Sequence, residues 1–337
     1  MSANTESSQL KKRPDALLNN LKLRWRLFKR KYANTTGVKK ILVRIVMYLL
    51  IIGLAFVFAY PFIYLISTSL MSNADLNSTT VQWLPTEVKF ENFALALQLM
   101  NIKQYAYNSL FVTLIATIGH VIACSFIGYG FARYNFPLKK ILFAFVILAF
   151  IVPTQTIIIP LYLTYSNLFW LDSYLPLLVP TFFGFGLRGA LYVFLFRQFF
   201  LTVPKSLEEA ARIDGCGFMM TFWRIVFPLA RATVVVAMVL SVVWHWNDHY
   251  EPSIYVTDPG KGFVPPRLNN IISAASALPD EQQEMLRNLG LEDGEDTLND
   301  AVVMAGALII SAPVLVFFAF AQRQFMEGIE RTGITGE

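Results

Sequence analysis

Arg188 stands in the middle of an apolar stretch, Leu175–Phe200, where a charge is costly to keep. A central arginine in a membrane-spanning helix costs roughly 2.5–3.5 kcal/mol on insertion scales, so it needs a partner or water. It can bind solute hydroxyls or a carboxylate in a cavity, pair with Asp248, or sit at a helix end. A second cluster, Trp244, Trp246, Asn247 and Asp248, joins aromatic faces to amide and carboxylate acceptors, which suits the C–H and O–H groups of a carbohydrate. Tryptophan at such a depth also serves as an interfacial belt residue. Other chemistry is missing: Cys124 and Cys216 form no Cys-x-x-Cys, and His120, His245 and His249 form no metal motif. There is no Gly-x-x-x-x-Gly-Lys-Ser/Thr loop to cradle nucleotide phosphates, nor any paired carboxylates or nucleophile constellation within an apolar stretch, so neither NTP hydrolysis nor membrane-embedded catalysis is expected.

These residues are set in an unusual composition. Of 337 residues, 55% are hydrophobic and 15% charged, against about 25% charged in a soluble domain. The apolar residues cluster into charge-poor runs of about 20 residues or more, the length that crosses a bilayer as a helix. The net charge of +5 does not indicate nucleic acid, because the basic residues form no stripe interleaved with stacking aromatics. Six spans are expected: Ile45–Leu70, Tyr105–Phe131, Ile141–Tyr165 with kinks at Pro153 and Pro160, Leu175–Phe200, Leu229–Tyr250 and Ala301–Ala321. The first is too long for a signal-peptide core and is expected to stay attached. A short helix at Glu91–Met100 is expected in the first outer loop, and Gly184, Gly186 and Gly189 allow close helix packing in the fourth span.

The basic residues set the orientation. With these spans, 22 of the 28 Lys and Arg fall on one side and five on the other, with Arg188 inside a span. The basic side faces the cytoplasm, which puts both termini there. The chain then reads as a basic cytoplasmic segment (1–44), a six-helix membrane domain (45–326) and a cytoplasmic tail (327–337). Leu17–Tyr32 is either a basic amphipathic helix on the membrane surface or a solvated tail that fixes orientation. Outside lies a long loop (256–300), acidic from Asp280 onwards, that contacts a partner, is solvated or binds a cation, although its acids form no EF-hand pattern.

The cytoplasmic segment 204–228 reads PKSLEEAARIDGCGFMMTFWRIVFP. It predicts a helix, a glycine break and a second helix, with Ser206 and Glu209 forming a capping box and Gly215 or Gly217 taking the left-handed turn that ends the first helix. Leu207, Ala210 and Ala211 would let another protein approach closely, with Glu208, Glu209 and Arg212 at the rim.

The spacing Glu209-Ala210-Ala211, three residues, Gly215, nine residues, Ile225 and then Pro228 resembles the EAA loop of ABC importer permeases, departing at Phe227 where leucine is usual. PFIYLISTSL in the first span, FLFRQFF before the loop, WHWND in the fifth span and the closing APVLVFFAFAQRQFMEGIERTGITGE resemble the smaller permease partner of maltose-type carbohydrate importers. The acidic stretch PDEQQEMLRNLGLEDGEDTLND makes the last outer loop longer than that group usually has. The resemblance implies an all-α type I permease fold in a bacterial or archaeal cell membrane. It implies a heterodimer with a second permease subunit, two ATP-binding subunits that carry ATP and Mg, and an extracytoplasmic solute-binding protein. The implied solute is an oligosaccharide; glycerol phosphate, a polyol or a peptide is the alternative for the same machinery. An ion-coupled secondary transporter is the rival of another kind, but it predicts acids within the spans, and the nearest is Asp248 at a span's edge. In this family the EAA loop docks on the ATPase, a role that would fall to Glu208, Glu209, Ala210, Ala211, Gly215, Ile225 and Pro228.

Overall fold

The computed structural model describes residues 35–78, 83–275 and 298–333, and among them there is no β-strand. The basic segment Leu17–Tyr32 and most of the acidic stretch that follows Asp280 lie outside the described residues. The chain divides into two compact units, Met1–Tyr64 and Leu65–Glu337.

The first unit is described through α1, which begins at Thr35 and runs on to Ser69 with Pro61 inside it. Its apolar side chains are exposed along the helix (Phe58 is 73% exposed), as a lipid-facing helix requires.

In the second unit, α2 (Asn73–Leu76) and α3 (Glu91–Leu99) precede α4, Ile102–Arg133. Next come α5 (Lys139–Ile151) and α6 (Thr154–Asn167). A single kinked span was expected here, but the two helices meet at 104°. The cause is local: a residue before proline is driven from the helical to the extended region, and Val152, before Pro153, sits at φ −67°, ψ 123°.

The expected fourth span is likewise broken. A short α7 (Leu175–Leu178) passes into a 3₁₀ turn at Val179–Phe183, and the chain re-enters a helix only at α8, Gly189–Thr202. Gly184 (φ 70°), Gly186 (φ 104°) and Arg188 (φ 62°) all take left-handed conformations that no helix continues through. Arg188 therefore does not lie inside a helix; it is the residue from which α8 starts.

The elements of the segment expected on the cytoplasmic side are α9 (Ser206–Ile213), α10 (Phe218–Thr221), a π-helical turn (Phe222–Val226) and α11 (Phe227–Leu229). They lead into α12 (Arg231–Asn247), which is bent by 79° from the α10–α11 segment. Beyond it lie α13 (Tyr250–Tyr255), α14 (Val264–Ala275) and α15 (Asp300–Gly333).

Among the described residues three helices, α1, α4 and α15, are long and apolar enough to cross a membrane. The count rises to five if each bent pair is one span, and α8 is a shorter apolar helix. Among the described residues the core lies in three clusters: Leu99, Met100, Trp246 and Val302 between α3, α12 and α15; Tyr129, Phe196, Phe200 and Phe222 at one end of α4; and Tyr165, Leu177 and Tyr255 near its other end. The α4–α8 contact is close because of glycine: a Cβ on Gly128 would stand 2.8 Å from the Arg197 nitrogen.

Candidate functional site: a two-faced short helix and a polar cavity

The helix α9 starts one residue earlier than its sequence suggests. Lys205 is already helical, Glu208 N–H donates to the Lys205 carbonyl at 3.0 Å, and no side chain caps the end. The expected Ser206–Glu209 capping box is therefore not formed; Ser206 has become the first helical residue. Glu208 and Glu209 still complement the positive end of the helix dipole, and Arg212 complements the negative end.

The far end closes as the glycine predicted. Gly215 takes φ 81°, its N–H donates to the Arg212 carbonyl (3.1 Å) and Cys216 N–H donates to the Ala211 carbonyl (2.9 Å). This pair of bonds is a Schellman closure. Gly217, at φ −71°, has no such role.

The faces of α9 are sharply divided. Glu208 and Ala211 are buried, while Leu207, Glu209, Ala210 and Arg212 are exposed, and Ile213 is 87% exposed. Ala211, expected at an approach surface, instead packs inward, and Glu208, expected at the rim, points into the protein. There Glu208 Oε1 lies 2.6 Å from Arg133 Nε, a buried charge pair rather than a straight hydrogen bond. Its other oxygen accepts from the Tyr129 hydroxyl at 3.1 Å. Arg133 also donates to the Val203 carbonyl just before α9. The Tyr129 ring stacks on Phe218 (5.7 Å, 19°) and meets Phe200 edge-on at 5.5 Å. Ile225 is half-buried in the π-helical turn and Pro228 is exposed in α11.

The second site is a cavity of about 570 Å³, within the range of small-molecule sites. Arg188, His245, Asp248, Glu251 and Gln155 bring polar groups to a mainly apolar wall. The Arg188 guanidinium lies 4.4 Å from the centre of the Trp244 ring, a cation–π contact. Of the alternatives open for Arg188 the helix end is the one met, and among the described residues no ion pair joins it to Asp248. Asp248 Oδ1 accepts from the backbone N–H of Tyr250 (3.0 Å) and Glu251 (3.3 Å), so it starts the turn into α13. His120 Nε2 lies 3.3 Å from the Phe185 carbonyl and the His120 ring is 5.1 Å from that of His245, which ties the Arg188 loop to α4 and α12.

The two tryptophans differ. Trp246 is buried and its indole N–H donates to the Ile310 carbonyl at 2.9 Å, so it belongs to the core and not to an interfacial belt. Trp244 is 40% exposed. The Asn247 amide donates to its own helix at Val243. Sequence reasoning missed Glu251, which is 9% exposed and faces the cavity. Its signal was an acid three residues past Asp248, just beyond the expected end of the fifth span.

Comparisons with known proteins agree with this architecture. Residues 124–327 match the family described as "Binding-protein-dependent transport system inner membrane component". The chain is 30% identical over 222 residues to the sn-glycerol-3-phosphate transport system permease protein UgpE of Yersinia pestis bv. Antiqua (strain Antiqua), covering 66% of this chain and 70% of the relative. It is 28% identical over 278 residues to the probable starch degradation products transport system permease protein AmyC of Thermoanaerobacterium thermosulfurigenes, covering 82% and 92%. Its fold is similar to that of a crystal structure of a bacterial ABC transporter involved in the import of the acidic polysaccharide alginate. The TM-score is 0.65 at 22% identity, covering 85% of this chain and 98% of that one.

Proposed function

We propose, because this chain belongs to the family of binding-protein-dependent transport system inner membrane components, that it forms one half of the pore of an ATP-driven importer and passes an oligosaccharide. The chain is a permease subunit and not an enzyme, and it is a multi-pass protein of the cell membrane. That membership sets aside the ion-coupled carrier. The remaining assignments are ours: six spans with cytoplasmic termini, a bacterial or archaeal host, a second permease as partner, two ATPase subunits holding ATP and Mg, and an extracytoplasmic binding protein.

The observation that carries the coupling role is the division of α9 into two faces. Glu208 and Ala211 anchor it inward, while Leu207, Glu209 and Ala210 are left outward in a helix closed at Gly215. A short helix with small side chains and one outward carboxylate suits a cleft on a partner ATPase.

The solute reading rests on the cavity. Asp248 and Glu251 both line it, and their carboxyl oxygens accept hydroxyl hydrogen bonds whether or not the groups are ionised. This favours a neutral polyhydroxylated solute. Arg188 on the same wall supports a second reading, a phosphorylated polyol such as the one in the name of the Yersinia relative. Uptake of radiolabelled maltotetraose and of sn-glycerol 3-phosphate into proteoliposomes holding the complete complex and its binding protein separates them. Uptake of the tetrasaccharide supports the first reading, and uptake of the phosphate ester alone overturns it in favour of the second.

A further inference from the structure

The backbone gives α9 no stiff connection to the membrane helices. Before it, Val203 is extended and Pro204 interrupts the run from α8. After it come the left-handed Gly215, then Gly217, a single helical turn at α10, a π-helical turn and a 79° bend into α12. A push on the outer face of α9 would be absorbed at either joint if the backbone alone transmitted it.

Side chains provide another route. The last turn of α4 presents Tyr129 and Arg133, one helical turn apart, and both reach Glu208: the hydroxyl at 3.1 Å and Nε at 2.6 Å. Arg133 also holds the Val203 carbonyl, which fixes the joint that precedes α9. Tyr129 is fully buried and is stacked on Phe218 beyond the glycine break, so both sides of that break are pinned to one residue of α4. Inside a buried, close-packed site such contacts shift as a unit and do not yield continuously.

We infer that Glu208, Tyr129 and Arg133 form a rigid side-chain strut that makes α9 and α4 one moving body, so that force from the ATPase enters the membrane through the 32-residue helix α4 and not through the chain connections of α9. The strut rests on the coupling role proposed for α9. It assigns Glu208 a positioning role inside the subunit, distinct from the outward Glu209. Coupling between distant sites is demonstrated by an element whose state both ends share, and here that element is α4.

The experiment uses the assembled complex with Cys124→Ser and Cys216→Ser. Nitroxide labels are placed at Lys103→Cys, at the far end of α4, and at Lys205→Cys, at the start of α9, and their separation is measured by pulsed electron resonance without nucleotide and after trapping with ATP and vanadate. The strut predicts one narrow distance, unchanged between the two states. In Glu208→Ala it predicts a second, shifted population in the trapped state, although the ATPase subunit still co-purifies and traps nucleotide. Tyr129→Phe removes only the hydroxyl and keeps the aromatic packing; it gives the same second population more weakly and serves where Glu208→Ala does not assemble. A distance that shifts between states in the unmutated strut, or one narrow unchanged distance in both variants, overturns the strut and leaves the coupling role intact. A labelled parent that retains no ATPase subunit overturns both.

Discussion

Arg133 Nε lies 2.6 Å from Glu208 Oε1 with both side chains almost fully withdrawn from solvent. Removing one member of a buried pair strands the other charge, at a cost of about 3–5 kcal/mol. Glu208→Ala and Arg133→Ala are each expected to lower the thermal unfolding midpoint in detergent sharply, while Tyr129→Phe, which loses one hydrogen bond to a charged group, costs about 1.5–3 kcal/mol. The double variant Glu208→Leu with Arg133→Leu should recover much of the single-variant loss. Equal midpoints for all four would show that the pair is not formed.

Gly215 and Gly217 look interchangeable in the sequence but differ in backbone hand. Gly215→Ala forces a Cβ into the left-handed region, at about 1–2 kcal/mol. Gly217 has an ordinary φ and nothing within 4 Å of an added Cβ, so Gly217→Ala is expected to be neutral or to stabilise by about 0.4–1 kcal/mol. Unfolding midpoints of the two single variants check the order.

Much of this arrangement was legible before any coordinates. Long charge-free runs located α1, α4 and α15, because hydropathy over about 20 residues reports burial in lipid directly. The Glu-Ala-Ala and glycine spacing located α9 and narrowed its closure to Gly215 or Gly217, and the structure takes Gly215. The break before α8 was not legible by hydropathy, since Gly184 to Arg188 sits in apolar company and composition does not register backbone hand. The signal was the glycines at 184, 186 and 189 around a lone arginine, read above only as close packing. The capping box failed for a different reason: Lys205 supplies the first helical carbonyl, which moves Ser206 out of the capping position. Which face of α9 turns inward depends on Arg133, 75 residues away, and no local pattern contains that.

The Arg188 loop closes on itself through Gly189. An added Cβ there would meet the Gly184 carbonyl oxygen at 2.4 Å, a backbone atom that cannot rotate aside. Gly189→Ala is expected to cost at least about 1–3 kcal/mol, as overpacking does, and to reduce the yield of folded protein. Gly53→Ala, with open space around it, is the control that should leave yield unchanged in size-exclusion profiles.

Trp244 and Trp246 should separate solute handling from stability. Trp246→Phe removes the indole hydrogen bond to the Ile310 carbonyl and is expected to cost about 0.5–1.5 kcal/mol of stability. Trp244→Ala should leave the fold intact and raise the uptake KM for the transported solute, because it removes the face that holds Arg188. Paired measurements of unfolding midpoint and uptake kinetics on both variants test this; a Trp244→Ala protein that loses stability and keeps its KM would contradict it.

Acid should loosen the loops joined at Asp172. Its Oδ1 accepts from the Thr257 hydroxyl (2.7 Å), Thr257 N–H (2.8 Å) and Asp258 N–H (3.1 Å), and the bond from the Thr257 hydroxyl, foremost among these, holds the carboxyl below the usual aspartate range. A carboxylate with a lowered folded-state pKa contributes stability at pH values above its unfolded value of about 4, and that contribution is lost as pH falls below it. The midpoint gap between the parent and Asp172→Asn should therefore be open at pH 7 and close on acidification below about pH 4. A gap that widens on acidification would contradict the assignment.

The central claim, that α9 is the surface on which an ATPase drives this permease, is tested most directly by affinity purification of the detergent-solubilised protein with mass spectrometry of what comes with it. The parent should bring down an ATP-binding subunit and a second permease, and Glu209→Ala combined with Gly215→Pro should keep the second permease and lose the ATP-binding subunit. A parent that comes down with neither partner, or a variant that keeps the ATP-binding subunit in full amount, would contradict the account.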